Sequence, residues 1–232
     1  MFIILKETGI MKFSKRDMLL HSTMCIIGGF MGCYAIMCRS ENLGSSQTSN
    51  LIQIFTCLFG RDIYDFLLRL CGMGLYVFAI IISTVLRKKT SCNMEKYAIA
   101  VDAAGLMALS LFPVSINPII GILPIFFMMS TQWSVFHGLG EYNSSTIFST
   151  NNIRQCVTAL SEYIIDKNSQ QKDKSMFFGN SLLWYHIGVI FGFFACKFCS
   201  IYGSLLCIPV VIVAFIFASF DNAHEQKCKC AT

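Results

Sequence analysis

The sequence predicts an all-α integral membrane protein in which six transmembrane helices form two inverted three-helix repeats. Three observations support this fold: the composition, a polar motif that occurs twice, and the placement of Lys and Arg. Of the 232 residues, 55% are hydrophobic and only 13% are charged, and the mean hydropathy is +0.61. Soluble domains carry about 25% charged residues, and a soluble core this apolar would be larger than the chain length supports. The composition therefore indicates a protein embedded in lipid.

The apolar stretches define the helices, since a transmembrane helix needs about 20 predominantly apolar residues. The predicted spans are 18–38, 66–86, 97–113, 117–136, 177–199 and 201–220. Pro124 lies inside the fourth span and is expected to kink it. Assigning three spans to each half of the chain gives a leader at 1–17, a first repeat at 18–116, a second repeat at 117–220 and a tail at 221–232.

A polar motif recurs between the apolar stretches. Thr48-Ser49-Asn50-Leu51-Ile52-Gln53 and Thr150-Asn151-Asn152-Ile153-Arg154-Gln155 share Thr, Asn and Gln at a constant offset of 102 residues. Apolar residues at helical spacing follow each copy, which predicts a short amphipathic helix at the membrane surface or folded partly back into the membrane. In membrane proteins, duplicated halves whose hydrophobic segments are interrupted at matching positions usually flank a binding site.

The placement of Lys and Arg predicts the orientation, because cytoplasmic loops carry an excess of both. With the N-terminus inside, 14 of the 18 Lys and Arg residues, Arg154 among them, fall in cytoplasmic segments. Both termini are then cytoplasmic, and the 40–65 segment is outside. Because each repeat has an odd number of spans, the second repeat enters the membrane from the opposite side, which is the inverted arrangement of many secondary transporters.

Polar residues of the two motifs and of the fourth span are candidates for binding a substrate. They are Thr48, Asn50, Gln53, Gln132, Thr150, Asn152 and Gln155. A helix N-terminus presents unpaired N–H groups and a partial positive charge, so two such termini suit a polar or anionic solute. Thr and Asn also form caps and turns, but capping alone does not explain the glutamine that both motifs share. Gln132 has an alternative role in hydrogen bonding between helices.

Asp102 is the only carboxylate well inside a predicted span, between Val101 and Ala103. An ionisable residue within a membrane is costly to bury, and it is therefore a functional candidate by default. We interpret Asp102 as a candidate for carrying a coupling proton. The alternative is that the carboxylate, which lies near the cytoplasmic end of the span, reaches water or Lys96.

The remaining residues predict no metal, no cofactor and no catalytic residue. The 12 Cys are scattered through apolar segments, as expected of free thiols and not of a disulfide framework. The close pairs Cys196/Cys199 and Cys228/Cys230 each lack a second pair at a set distance, and His186 is expected to be a packing residue. The motifs G-x-S-x-G, H-E-x-x-H and Walker A do not occur, which argues against an enzyme. No arginine-rich tract indicates nucleic-acid binding.

Several short motifs, in order, resemble the YoaK-like family of bacterial six-span membrane proteins. Gly29-Phe30-Met31-Gly32 is similar to the Gly-rich first-span signature, with Gly32 where that family usually has Asp. Thr48-Ser49-Asn50 and Thr150-Asn151-Asn152 resemble its two Thr-Gly-Asn motifs, and Met129-Ser130-Thr131-Gln132-Trp133 resembles its Gln motif, with Trp133 replacing Asn. Asp102 stands where the family often carries Glu. The resemblance implies six spans and a bacterial inner membrane, but it implies no established activity.

These observations together predict a protein of the inner membrane that moves a small polar or anionic solute by alternating access. Its expected partners are the lipid bilayer and that solute, and the oligomeric state is left open. Two alternatives remain: a non-transporting partner or sensor subunit, and an intramembrane enzyme. A transporter requires a polar cavity shared by both motifs, whereas an enzyme requires a nucleophile and a base within hydrogen-bonding reach.

Overall fold

The computed structural model describes residues 13–39 and 46–220. Over these ranges the chain forms eight α-helices and one 3₁₀-helix. They are α1 (Lys15–Cys38), α2 (Gln47–Phe59), α3 (Ile63–Lys89), α4 (Met94–Leu111), α5 (Pro118–Val135), α6 (Thr150–Asp166), α7 (Ser169–Cys199), the 3₁₀-helix (Ser200–Cys207) and α8 (Ile208–Ser219). The prediction of an all-α protein is confirmed for these residues. The tail, with Cys228 and Cys230, and most of the leader lie outside them.

Among residues 13–39 and 46–220, four stretches are long and apolar enough, by length and composition, to cross a membrane. They are α1, α3, α5 and the continuous run Ser169–Ser219. Helix α4 carries Glu95, Lys96 and Asp102 within its 18 residues, which lowers its hydropathy. The apolar helices indicate a membrane-embedded protein.

Most helices begin at a side chain that accepts a hydrogen bond from a first-turn N–H group, the usual role of an N-cap. The caps of α1, α3, α4, α5 and α7 are Ser14, Asp62, Asn93, Asn117 and Asn168. Helices α2 and α6 differ, because neither Ser46 nor Ser149 makes a side-chain cap bond. The two helices that contain the repeated motif in their first turns therefore begin without a side-chain cap, as does α8 after Cys207.

Helix α1 lies at the centre of the core and packs closely on α7 through glycines. A Cβ atom added at Gly188 would lie 2.1 Å from the carbonyl oxygen of Ile26, and one added at Gly192 would lie 3.0 Å from that of Phe30. Position 26 thus meets 188, and position 30 meets 192. The two helices therefore run parallel, with their backbones almost in contact.

This contact predicts a large effect of one added methyl group. Gly188→Ala should lower the free energy of unfolding by about 1–3 kcal/mol or more, because the backbone of α1 has to move away. Gly74→Ala in α3 is the matched control, since nothing lies within 4 Å of the added Cβ there. Thermal unfolding in detergent measures both, and equal melting temperatures for the two variants would contradict the close packing.

Helices α3 and α5 also run parallel. The hydroxyl of Ser130 donates a 2.7 Å hydrogen bond to the carbonyl oxygen of Tyr76. One turn earlier on each helix, a Cβ added at Gly72 would meet the ring of Phe126 at 2.7 Å. Contacting residues therefore rise in number together along α3 and α5, as they do when two helices are parallel.

Helices α1 and α5 run in opposite directions. Gln132, near the end of α5, donates a 2.8 Å hydrogen bond from its side-chain Nε2 to the carbonyl oxygen of Met24 in the first half of α1. Just past the end of α1, the Arg39 side chain packs on Gly121 at the start of α5. Arg39 also donates 3.2 Å hydrogen bonds to the carbonyl oxygens of Phe112 and Pro113, which closes this end of the bundle.

The C-terminal elements pack antiparallel to α1. The guanidinium of Arg16 donates from Nε to the carbonyl oxygen of Phe217 at 3.0 Å, and the Tyr34 hydroxyl donates to that of Ile201 at 3.1 Å. Helix α4 packs against both the 3₁₀-helix and α8. At the same end, Arg16 forms an ion pair with Glu95 of α4, so α1, α4 and α8 are tied together there.

Candidate functional site

A cavity of about 550 Å³ lies where α2 and α6 begin. Its wall combines both copies of the repeated motif with residues of α3, α5 and the loop before α6. The lining residues are Ser46, Gln47, Thr48, Tyr76, Trp133, Phe148, Thr150, Asn151 and Arg154. The volume falls within the range of small-molecule sites, about 300–1,000 Å³.

Two helix N-termini open on this cavity. The first turn of an α-helix has N–H groups without intrahelical partners, and these carry a partial positive charge. In α2 and α6 the N-cap side chains of Ser46 and Ser149 leave them uncapped. Helix α6 begins at Thr150, so Ser149 takes the cap position. Both N-termini thus present donors toward one space.

The threonines of the repeated motif lie at this cavity. Thr48 and Thr150 are both exposed and both line it. The structure therefore brings together two candidates that are 102 residues apart in the sequence. Their binding of a solute stays a prediction.

The motif asparagines lie behind the cavity wall. Asn152 is buried, donates from Nδ2 to the carbonyl oxygen of Ser145 at 2.7 Å, and accepts from the Ser144 hydroxyl at 3.2 Å. Asn50 is also buried and donates from Nδ2 to the carbonyl oxygen of Arg69 at 3.3 Å. Both asparagines thus anchor the start of their helix against a neighbouring segment, one or two residues beyond the lining.

The three candidate glutamines do not line the cavity. Gln53 and Gln155 are half-buried on α2 and α6. Gln132 is fully buried next to the lining residue Trp133 and donates from Nε2 to the carbonyl oxygen of Met24 and, at 3.0 Å, to the Thr146 hydroxyl. The contacts of Gln132 are those of a residue that links helices.

Asp102 lies away from this cavity. Its side chain is fully buried, and neither carboxylate oxygen has a hydrogen-bond partner among the described residues. The 3₁₀-helix packs against α4, and Cys207 lies within electrostatic range of Asp102. Ser204, three residues before Cys207 and so on the same face of a 3₁₀-helix, is buried with an unpaired hydroxyl. Lys96 instead places its ammonium 5.8 Å from the centre of the Phe215 ring.

A buried polar cluster, not singled out in the sequence, fixes the start of α6. The His21 Nε2 atom lies 3.1 Å from the Ser181 hydroxyl and 3.3 Å from that of Ser144. Ser144 in turn donates to Asn152. The cluster joins α1, α7 and the loop before α6. A buried network of this kind is stable only when its members are paired, and this one positions α6 against the core.

Seven lining residues were not among the candidates taken from the sequence: Ser46, Gln47, Tyr76, Trp133, Phe148, Asn151 and Arg154. Aromatic residues are common in apolar spans, so their pattern carries no signal. Arg154 had been counted as a cytoplasmic charge. Its position four residues after Thr150 places both on one helix face, and this spacing was the available signal.

The cysteines and the possible metal ligands of the described residues form no further site. Cys196 and Cys199 are free. Across residues 13–39 and 46–220, no group of three or more His, Cys, Asp or Glu side chains is placed to hold a metal ion. The predicted absence of a metal and of a cofactor stays a prediction.

The apolar helices indicate a helical, membrane-embedded protein, and two of its helix N-termini border one cavity. The chain belongs to the family described as "Protein of unknown function (DUF1275)", whose model matches residues 20–219. The predicted resemblance to the YoaK-like family is confirmed, because that family is consistent with this assignment. No curated protein and no solved structure matches the chain.

Proposed function

We propose that this protein moves a small polar or anionic solute across the inner membrane by alternating access. The observation that carries the proposal is the cavity of about 550 Å³ lined by both Thr48 and Thr150. Each threonine lies at an uncapped helix N-terminus. Broken helices whose N-termini point at a solute near the interface of two repeats are typical of secondary transporters.

Six spans are part of the proposal. Helix α4, with 18 residues, extends about 27 Å at 1.5 Å per residue, close to the hydrocarbon thickness of about 30 Å. The 3₁₀-helix and α8 together extend about 34 Å. With α1, α3, α5 and α7, these elements make three spans for each half of the chain.

The directions of the helices support an inverted repeat. The parallel contact of α1 with α7 corresponds to the parallel contact of α5 with α3 when the two halves are exchanged. The first helices of the two halves, α1 and α5, are antiparallel, as the Met24–Gln132 and Arg39–Gly121 contacts require. A two-fold axis in the membrane plane relates halves of this kind.

The orientation gives a direct test of the six-span proposal. Ser91, between α3 and α4, and Ser115, between α4 and α5, are both exposed. On a background without native cysteines, Ser115→Cys should react with an impermeant maleimide added outside, and Ser91→Cys should react only after the membrane is opened. Labelling of Ser91→Cys from outside would overturn cytoplasmic termini.

Asp102 is proposed as the residue that carries a coupling proton. It is fully buried, and its carboxylate has no partner in the described part of the chain. A structural carboxylate in a membrane is normally paired with a cation or with backbone groups. A carboxylate without either is suited to taking up and releasing a proton as the helices around it move.

An intramembrane enzyme is the alternative with the most specific observation, the contact of His21 Nε2 with the Ser181 hydroxyl at 3.1 Å. The cavity that reaches His21, between Asp17 and Glu95, has only about 70 Å³. One water occupies about 30 Å³ in the liquid, so this space suits about two waters and no substrate. The size favours a role in packing for this pair.

A screen for ligands on the purified protein tests the proposed function. A solute that binds the folded state raises the melting temperature, by an amount that depends on its concentration relative to Kd. The screen should include small neutral polar solutes and small anions, and any solute that stabilises the protein should also accumulate in proteoliposomes. Stabilisation without any accumulation would favour a sensor or partner subunit.

A further inference from the structure

We infer that the cavity at the starts of α2 and α6 selects an organic anion, whose negative group is bound by Arg154 and the two helix N-termini and whose apolar body contacts the aromatic wall. This inference rests on the proposed function and names the class of solute for that site.

The charges of the wall favour an anion. Among the described residues that line the cavity, Arg154 carries a positive charge and none carries a carboxylate. Among the described residues, its guanidinium makes one hydrogen bond, a long one of 3.4 Å from Nη2 to Asn151 Oδ1. Since a guanidinium has five N–H donors in a planar fork, most of them remain for a carboxylate or a similar group. The partial positive charges of the two N-termini add to this field.

A second observation is independent of the helix termini. Tyr76, on α3, is only 5% exposed and lines the cavity. Its carbonyl oxygen accepts a hydrogen bond from Ser130, whereas its phenolic hydroxyl has no hydrogen bond to a described residue and is not among the fully enclosed unpaired atoms, so it is accessible from the cavity. Buried tyrosine hydroxyls usually have a partner. An oxygen of a bound anion would supply the missing acceptor.

The size and the remaining wall favour an organic body. Trp133 and Phe148 both line the cavity and form an edge-to-face pair with ring centres 5.7 Å apart. With Tyr76 they make three aromatic surfaces in a space of about 550 Å³. An inorganic anion of a few atoms would leave most of this volume unfilled, while a planar or apolar body would contact the rings.

The position of the two tryptophans provides a reporter. Trp133 lines the cavity, whereas Trp184 lies on α7 and donates to Asn180 Oδ1. In the full-length Trp184→Phe protein, in neutral detergent, the fluorescence comes from Trp133 alone. The probes are benzoate, its neutral analogue benzamide, and sulfate. Benzoate should change the fluorescence saturably, with a Kd at least tenfold lower than those of benzamide and sulfate.

Substitutions of lining residues show which side chains bind the probe. Arg154→Gln should raise the Kd for benzoate at least tenfold and leave the Kd for benzamide within twofold, and Arg154→Lys should restore part of the affinity. Tyr76→Phe should weaken benzoate binding several-fold. Lys172→Gln removes the same charge at an exposed position of α7 and should have no effect. Each variant is first checked for an unchanged melting temperature.

The outcomes separate this inference from the proposed function. Equal binding of benzoate and benzamide, unaffected by Arg154→Gln, would overturn the anion and leave a site for polar solutes. If sulfate bound more tightly than benzoate, the inference that the anion has an organic body would be wrong. If phosphatidylglycerol displaced benzoate at a lower concentration, the site would be assigned to a lipid headgroup instead. No response of Trp133 to any probe, charged or neutral, would remove the cavity as a site and the proposed function with it.

Discussion

Replacing Asp102 by Asn should abolish uptake driven by a proton gradient while the protein still folds and binds its solute. Asn keeps the size and the hydrogen-bonding capacity of the carboxyl group but has no proton to exchange. Asp102 is fully buried, and both its oxygens are without partners among the described residues. No ion pair of the described structure is therefore lost, and the melting temperature should change by only a few degrees.

The measurement is uptake into proteoliposomes with and without an imposed pH difference, using a solute selected by thermal stabilisation. In the wild-type protein a gradient should increase accumulation, and in Asp102→Asn it should have no effect. Asp166→Asn is the matched control, because Asp166 is an exposed carboxylate at the end of α6. Proton-driven uptake that persists in Asp102→Asn would eliminate the coupling role.

Loss of folding would have a different meaning. Removing one partner of a buried ion pair costs about 3–5 kcal/mol, so an unfolded Asp102→Asn protein would indicate a structural partner. The alternative role had the Asp102 carboxylate reach water or Lys96, but the Lys96 ammonium lies over the ring of Phe215. Lys96→Gln should therefore leave both stability and uptake unchanged, which distinguishes the two roles.

The sequence predicted the helices well because apolar length and composition determine them. The predicted span 66–86 falls within Ile63–Lys89, and 117–136 overlaps Pro118–Val135 almost completely. Pro124 is accommodated inside α5. The repeated motif also predicted where two amphipathic helices begin, since a polar cap followed by apolar residues at helical spacing is a local signal.

The 3₁₀-helix was not predicted. The span 201–220 begins instead with Ser200–Cys207, and α8 starts only at Ile208. Two local features coincide with the break: Ser200 has a positive φ of 52°, and Pro209 lies in the first turn of α8, where its missing N–H group removes no intrahelical hydrogen bond. Hydropathy is insensitive to both, because the whole stretch is apolar.

The cavity could be predicted only in part. The motif threonines came from a repeat that the sequence displays, but Tyr76 and Trp133 reach the cavity through the packing of α3 and α5. That packing depends on contacts between positions far apart in the chain, such as Ser130 with Tyr76. Because the chain has many aromatic residues, the sequence alone does not indicate which of them meet at the cavity. The surroundings of Asp102 could not be predicted either, because the element that packs against α4 there is a 3₁₀-helix that the sequence did not predict.

Filling the cavity should block transport. Thr150→Trp places an indole at the start of α6, and because Thr150 lines the cavity, we expect uptake to fall at least tenfold. Thr150 is exposed, so the larger side chain displaces no core residue, and the melting temperature should change little. Thr158→Trp is the control, since Thr158 is exposed on the same helix and does not line the cavity.

Thr48→Trp tests whether the two motifs share one space. Thr48 lies on α2, 102 residues from Thr150, and lines the same cavity. Either substitution alone should therefore block uptake, and the double variant should be no worse than the single ones, because residues that act on one site are not additive. Two partial effects that multiply in the double variant would indicate separate sites. Full activity in Thr48→Trp, with a block in Thr150→Trp, would restrict the pathway to the second repeat and remove the argument from symmetry.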